Sequence, residues 1–209
     1  MRLLISGCTA TFRRISPAYK DVLGLLLTPA QGNRAELFPG FPWAADNAAY
    51  SGFCPNRYQR MLDKIKGKAG CLFVTVPDVV GDAKTTLALF DHWKRIVRLQ
   101  CGQPLALVGQ DGLEGLEIPW DDFQAFFIGG TTEWKLSRAA GDLAYEAKRR
   151  GKHLHMGRVN SMRRMLAAHM MLCDSVDGTR VSLWGELYME KFARHARSLN
   201  EQISLEYPP

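Results

Sequence analysis

The stretch from Cys173 to Thr179, CDSVDGT, carries two carboxylates three residues apart on what reads as a short buried strand ended by Gly178. A buried charge without a partner is costly, so each acid needs a reason to be there. Strand side chains alternate between faces, which sends Asp174 and Asp177 to opposite sides and rules out a single dyad. Asp177, next to the glycine at the strand end, is the acid a substrate can reach. Asp174 lies deeper and is expected to pair with an arginine or cap a neighbouring backbone group.

Other strand ends carry similar chemistry: ADNAAYSG, VPDVVGD, VGQDG, IGGTTE and HMGRVNS. Carboxylates, amides and paired glycines recur there, a set suited to a polar planar ligand. One aspartate after a strand commonly caps the next helix, and Asp82 before AKTTLAL fits that role. Capping does not explain the whole series, which predicts one shared site. In IGG, Gly129 and Gly130 offer two unshielded backbone amides that a heteroaromatic carbonyl could approach. The phosphate-cradling patterns GxGxxG and GxxxxGK[ST] are absent. His153 and His155 alternate like zinc ligands, but no Cys or acid completes a metal spacing, so a non-metal role is expected.

The elements that must position these residues alternate along the chain. Apolar runs RLLISG, VLGLLLT, WAADN, CLFVTVPD, LALVGQD, AFFIGG, HLHMG and DSVDG read as strands. Amphipathic helices are expected over 56–67, 82–100, 133–151, 160–172 and 183–203, with Leu87, Phe90, Ile96 and Val97 mostly on one side of the second. Strand–helix alternation means parallel strands with crossover helices. Eight strands close into a compact (β/α)8 TIM-like barrel, an α/β fold, with an open doubly wound sheet as the alternative. The loop-rich segment TPAQGNRAELFPGFP could cover one mouth.

The chain's 209 residues suit a single domain, and 46% hydrophobic with 23% charged residues is ordinary for a globular protein. No apolar run approaches the ~20 residues of a membrane helix, and the N-terminus lacks a signal-peptide layout, which predicts a cytoplasmic protein without a membrane partner. Five scattered cysteines without a CxxC pair argue for reduced thiols, and against both a disulfide framework and a zinc knot. The net charge of +6 is spread over helices, consistent either with solvated helix faces or with a polyanion-binding surface.

From VLGLLLTP to DSVDGT, the ordered motifs resemble those of the tRNA-guanine transglycosylases, which exchange guanine for a 7-deazaguanine on a (β/α)8 barrel. The nearer resemblance is to their DpdA-type branch in phages and bacteria, which puts deazaguanines into DNA. DNAAY resembles the family's DSGGY/F, implying that Asp46 is the general acid/base. VPDVVGD implies a base-recognition carboxylate at Asp78. LVGQDG resembles IVQGG and implies Gln110 on the base edge. FIGGTTE resembles LAVGE, so the Gly129–Gly130 amides would meet the base carbonyl. HLHMGRVN resembles YLMGVG, implying base contacts at Met156 and Gly157. CDSVDGT resembles MFDCVLPT and puts Asp177 at the nucleophile position. The sequence departs from the family in three places: Ala48–Ala49 replace the glycine pair of DSGGY, DGTR replaces LPTR, and the CxCxxC…H zinc subdomain of the tRNA-acting members is missing.

The resemblance and the chemistry of the residues agree. Displacing a purine from C1′ passes through an oxocarbenium-like state. One carboxylate attacks to form a glycosyl-enzyme and another group moves protons, jobs that Asp177 and Asp46 can divide. Phe53, Trp134 and Tyr50 could wall the pocket or simply be core. The nucleotide must be extruded to react, and Arg158, Arg163 and Arg164 suit phosphate contacts at the mouth or a solvated helical turn. No metal and no cofactor are expected. The implied partners are DNA (or tRNA), guanine and a 7-deazaguanine, with a second copy or an accessory protein as further candidates. Competing readings are a tRNA enzyme, an N-glycosidase using water as acceptor, and a non-catalytic nucleic-acid-binding barrel.

Overall fold

A computed structural model describes residues 1–7, 9–30 and 35–206; Cys8 and residues 31–34 of the loop-rich segment lie outside the described residues. Eight parallel strands, all three to five residues long, close into a barrel in sequence order: β1 Arg2–Ile5, β2 Leu23–Leu27, β3 Trp43–Ala45, β4 Cys71–Thr75, β5 Leu105–Gly109, β6 Ala125–Ile128, β7 His153–Met156 and β8 Ser175–Asp177. Closure runs through β1 and β8, where Leu4 lies opposite Asp177. The chain has the (β/α)8 architecture; the open sheet is excluded.

Between the strands run α1 Thr9–Ile15, α2 Pro55–Ile65, α3 Ala83–Cys101, the single turn α4 Thr132–Lys135, α5 Arg138–Arg149 and α6 Met162–Met170, with α7 Thr179–Leu183 and α8 Glu186–Glu206 after the last strand. The side chain of Asp82 accepts the Thr85 amide at 2.9 Å and caps α3, as its position suggests. The helix expected over 133–151 is two helices. Ser137 turns to an extended conformation and its hydroxyl caps the Ala140 amide, so α5 starts afresh. That break leaves Lys135 at the end of one turn, beside the barrel mouth.

The strand alternation sorts the core into two layers. Leu4, Leu26, Phe73, Val108 and Phe127, with Ala44, Ala106 and Ala125, fill the barrel. The larger cluster, including Leu3, Ile5, Leu107, Phe126, Leu154 and Met156, lies between strands and helices. Gly24 permits the tight interior: a Cβ there would sit 2.7 Å from Leu4 Cδ2. The loop-rich segment does not cap a mouth in its described part. It follows β2 as a crossover, and Phe38 and Phe41 pack their rings on Phe12 of α1.

Candidate active site

The C-terminal ends of the strands surround a cavity that opens to solvent and is lined by Asp46, Asn47, Asp78, Gln110, Lys135 and Asp177, with Tyr50, Val108, Phe127 and Arg158 among its walls. This is the end where parallel barrels gather their functional groups.

Asp177 ends β8 pointing inward. Its Oδ1 lies 3.0 Å from His155 Nε2 and accepts the Arg158 backbone amide at 3.2 Å. Both donors converge on one oxygen. The glycines flanking the carboxylate are required by space. A Cβ on Gly157 would strike the Phe127 ring at 2.5 Å, and one on Gly178 would press on the Val159 carbonyl and come within 2.9 Å of Asn160 Oδ1. Arg158 takes a left-handed φ of 59°, which turns its guanidinium over the Tyr50 ring, 3.8 Å from the centroid.

Asp46 follows β3 on the other side of the cavity. Its Oδ1 accepts the Thr75 hydroxyl at 3.2 Å, and the Asn47 backbone amide also bonds to the carboxylate. Burial raises its pKa to about 7, with repulsion from Asp177 and then Asp78 adding to the shift; the Thr75 bond opposes it. A carboxyl poised there can both give and take a proton near neutrality.

Asp78 is clamped. Asn47 Nδ2 donates to its Oδ1 at 2.7 Å and Gln110 Nε2 to its Oδ2 at 2.6 Å. Burial still pushes its pKa up against those two bonds. Gln110 Oε1 in turn accepts the amides of Gly81 and Gly130, both at 2.9 Å. The pair forms a rigid polar floor.

The expectation that the Gly129–Gly130 amides are free for a base carbonyl is corrected. Gly129 N–H donates to Gly109 O at 2.9 Å, and Gly130 N–H is taken by Gln110. These glycines are needed because a Cβ at Gly129 would lie 2.7 Å from Val108 Cγ1 and one at Gly130 2.6 Å from Trp134 Cε3. Met156 is corrected as well. It faces the helix layer, fully buried, while its neighbours His155 and Gly157 face the interior, as the period-two alternation of β7 requires. Of the aromatic candidates only Tyr50 lines the cavity. Phe53 packs on Tyr58 and Trp93, and Trp134 donates its ring N–H to Glu114 Oε2.

The arginines separate. Arg158 lines the cavity. Arg164 turns back to donate to Arg158 O at 3.1 Å and Thr132 Oγ1 at 3.2 Å, while Arg163 is exposed on the first turn of α6. Asp174 lies outside the site: Lys148 Nζ sits 2.8 Å from both its oxygens, and it also accepts the Leu154 amide at 2.7 Å. Both expected kinds of partner are present, with a lysine in place of the arginine.

Asn47, His155 and Lys135 belong to the site and escape sequence reasoning. His155 was visible only as half of a metal-like pair, although it shares the inward parity of β7 and so must meet Asp177 across the β7–β8 seam. Lys135, 2% exposed, donates to Gly157 O at 2.8 Å and lines the cavity. Burial lowers its pKa to about 8; Asp177 opposes the shift and Arg158 and Arg164 add to it. Nothing in the local sequence marks it. Among the described residues, no three His, Cys, Asp or Glu side chains gather as a metal site, and no helix is long and apolar enough to cross a membrane.

No protein-family model matches this chain, and no curated protein matches it.

Proposed function

We propose that this barrel is a transglycosylase that exchanges guanine for a 7-deazaguanine in DNA through a glycosyl-aspartate intermediate. The observation carrying the proposal is the pair of carboxylates in one cavity. Asp177 has one oxygen held by two donors and the other without a bond among the described residues, and Asp46 sits opposite with its pKa near neutral.

The chemistry balances on those two groups. The second oxygen of Asp177 attacks C1′ of an extruded nucleotide, the C1′–N9 bond breaks, and the electron pair leaves with guanine. Asp46, protonated while Asp177 is anionic, gives its proton to the departing base. Esterification removes the charge on Asp177, and with it one of the repulsions that keep Asp46 protonated. Asp46 therefore persists as an anion during the intermediate. The incoming base passes its N9 proton to Asp46, N9 bonds to C1′, and Asp177 is released as carboxylate. No net proton is consumed.

Binding follows from the walls. Phe127, Val108 and Tyr50 offer apolar and aromatic surface for a flat heterocycle, and the Asp78–Gln110–Asn47 floor offers fixed polar edges. Arg158 at the cavity and the exposed Arg163 suit phosphates flanking an extruded base. DNA is favoured over tRNA because the ordered strand-end motifs resemble the DNA-acting branch more nearly.

The test is incorporation of labelled guanine or a 7-deazaguanine into DNA and tRNA by the purified protein, with nucleosides read by mass spectrometry. Incorporation into DNA, lost in a folded Asp177→Ala variant, is the expected result. Label in tRNA alone would reassign the polymer. Release of guanine without incorporation would make the protein an N-glycosidase. Full activity of Asp177→Ala would remove Asp177 from the attack.

A further inference from the structure

Inside the barrel, four polar side chains form an unbroken line on the inner faces of β7 and β8. Asp177 Oδ1 is 3.0 Å from His155 Nε2, His155 Nδ1 is 2.8 Å from Ser175 Oγ, and Ser175 Oγ is 2.8 Å from His153 Nε2. His153 is the first residue of β7, so the line runs from the substrate cavity to the opposite, N-terminal face. There His153, half-buried, lines a second cavity with Lys148 and Asp174. Hydrocarbon surrounds the line: Phe73 stacks near both histidines, at 5.6 and 5.0 Å, and Phe127 lies 4.5 Å from His155. Four polar groups in an otherwise apolar interior are costly unless fully bonded to one another. The base-exchange steps above use only the first of them.

We propose that His155, Ser175 and His153 relay protons between Asp177 and solvent at the N-terminal face, so that a proton taken up by Asp177 in the empty site returns to solvent and restores the carboxylate from which base exchange starts, even while substrate fills the mouth. The proposal rests on the assignment of Asp177 as the attacking group.

The relay closes as a proton count. With Asp177 ionised, His155 Nε2–H donates to it, the Ser175 hydroxyl donates to His155 Nδ1, and His153 Nε2–H donates to Ser175 Oγ. A proton arriving from solvent water at His153 Nδ1 displaces the Nε2 proton onto Ser175. The serine proton moves to His155 Nδ1, and the His155 Nε2 proton moves to Asp177. Every link ends with the number of protons it started with, and Asp177 gains one. The reverse sequence frees the carboxylate for attack. Each histidine switches tautomer together with the other, because the single serine hydrogen points one way or the other.

The groups acting on the line are few. His155 faces Asp177, Ser175 and His153, with the Phe73 and Phe127 rings on its flanks. His153 faces Asp174 and Lys148, which form an ion pair. The second cavity also contains Arg2, Asp21, His169, Cys173 and the Met1 amine. Burial lowers the pKa of His153 to about 4, with Asp174 opposing and His155 and Lys148 assisting, so it is a neutral link at working pH.

The decisive experiment is a pH titration of the intact protein by histidine 15N NMR, in the wild type and in Ser175→Ala, which removes one oxygen and little volume. The expected wild-type result is a joint tautomer change of His153 and His155 with one midpoint, and in Ser175→Ala two independent changes. Separate midpoints in the wild type, or coupling that survives without the hydroxyl, would overturn the relay. This readout needs no turnover, so it stands even if base exchange fails. In the exchange assay, Ser175→Ala should lose about tenfold to a hundredfold in kcat at unchanged KM, with Ser175→Thr restoring most of it. Wild-type kcat at every pH in a folded Ser175→Ala variant would show that the line carries no catalytic proton.

Discussion

Asp46→Asn should inactivate the protein and, at the same time, make it more stable. The carboxyl titrates near 3.8 in an unfolded chain and at about 7 in the fold, the first cause being burial. Between those values the folded state holds a proton the unfolded state has lost, so stability falls as pH rises from about 4 to about 7 and is level above that. At about 1.4 kcal/mol per pH unit, the cost to wild type reaches an upper limit of roughly 4 kcal/mol at pH 8 and is below about 1 kcal/mol at pH 4. Water entering the open cavity lessens this, which makes roughly 2–4 kcal/mol the expected range at pH 8. An asparagine keeps the shape and can still accept the Thr75 hydroxyl, but has no charge to bury. For a chain of this size the gain corresponds to a rise in Tm of roughly 5–15 °C. Thermal or urea unfolding of both proteins at pH 4.5 and pH 8 measures it. The two curves should nearly coincide at the lower pH and separate at the higher. Equal stability at pH 8, or a gap of the same size at both values, would refute the claim that a buried carboxylate is held here at energetic cost for function.

Because the protonated form of Asp46 starts the reaction, kcat/KM should fall about tenfold per unit above pH 7, as steady-state rates across pH 6–9 would show. Arg163→Ala should weaken oligonucleotide binding uniformly across sequences and flatten its salt dependence, whereas Arg164→Ala, by releasing the Arg158 backbone, should also lower kcat; fluorescence anisotropy beside turnover separates them. Gly129→Ala should destabilise by about 1–3 kcal/mol, since its Cβ would press on Val108 and the Gln110 amide, readable in urea unfolding. Phe127→Leu should raise KM for the base several-fold while Met156→Leu leaves it unchanged, because only Phe127 lines the cavity; a reversed pattern in base titrations would put Met156 back in the pocket.

The barrel was legible because each strand is a short apolar run ended by a polar or glycine residue, and such runs alternating with amphipathic stretches leave few topologies. All eight runs contain the observed strands, from Arg2–Ile5 to Ser175–Asp177. The helix over 133–151 misled because Ala139, Ala140, Ala144 and Ala147 continue one helical pattern, while the break depends on a single hydroxyl, that of Ser137, reaching the Ala140 amide. Propensity summed over a window does not register one capping bond.

At the site, motif order located the residues but did not orient them. Asp46, Asp78, Gln110 and Asp177 line one cavity, as their strand-end positions require. Met156 and the Gly129–Gly130 amides fail for a common reason: side-chain direction and amide pairing are set by the sheet, not by the residue type. Strand parity repairs part of this. His153 and His155 on one strand, and Ser175 and Asp177 on the next, are all odd-numbered, and one inward residue on each strand fixes the rest. With Asp177 taken as inward, the neighbouring histidines become its partners along the barrel seam rather than a metal pair. Lys135 shows where such reasoning stops. It reaches the cavity from a helical turn outside the barrel, and no periodicity of the strands could have placed it there.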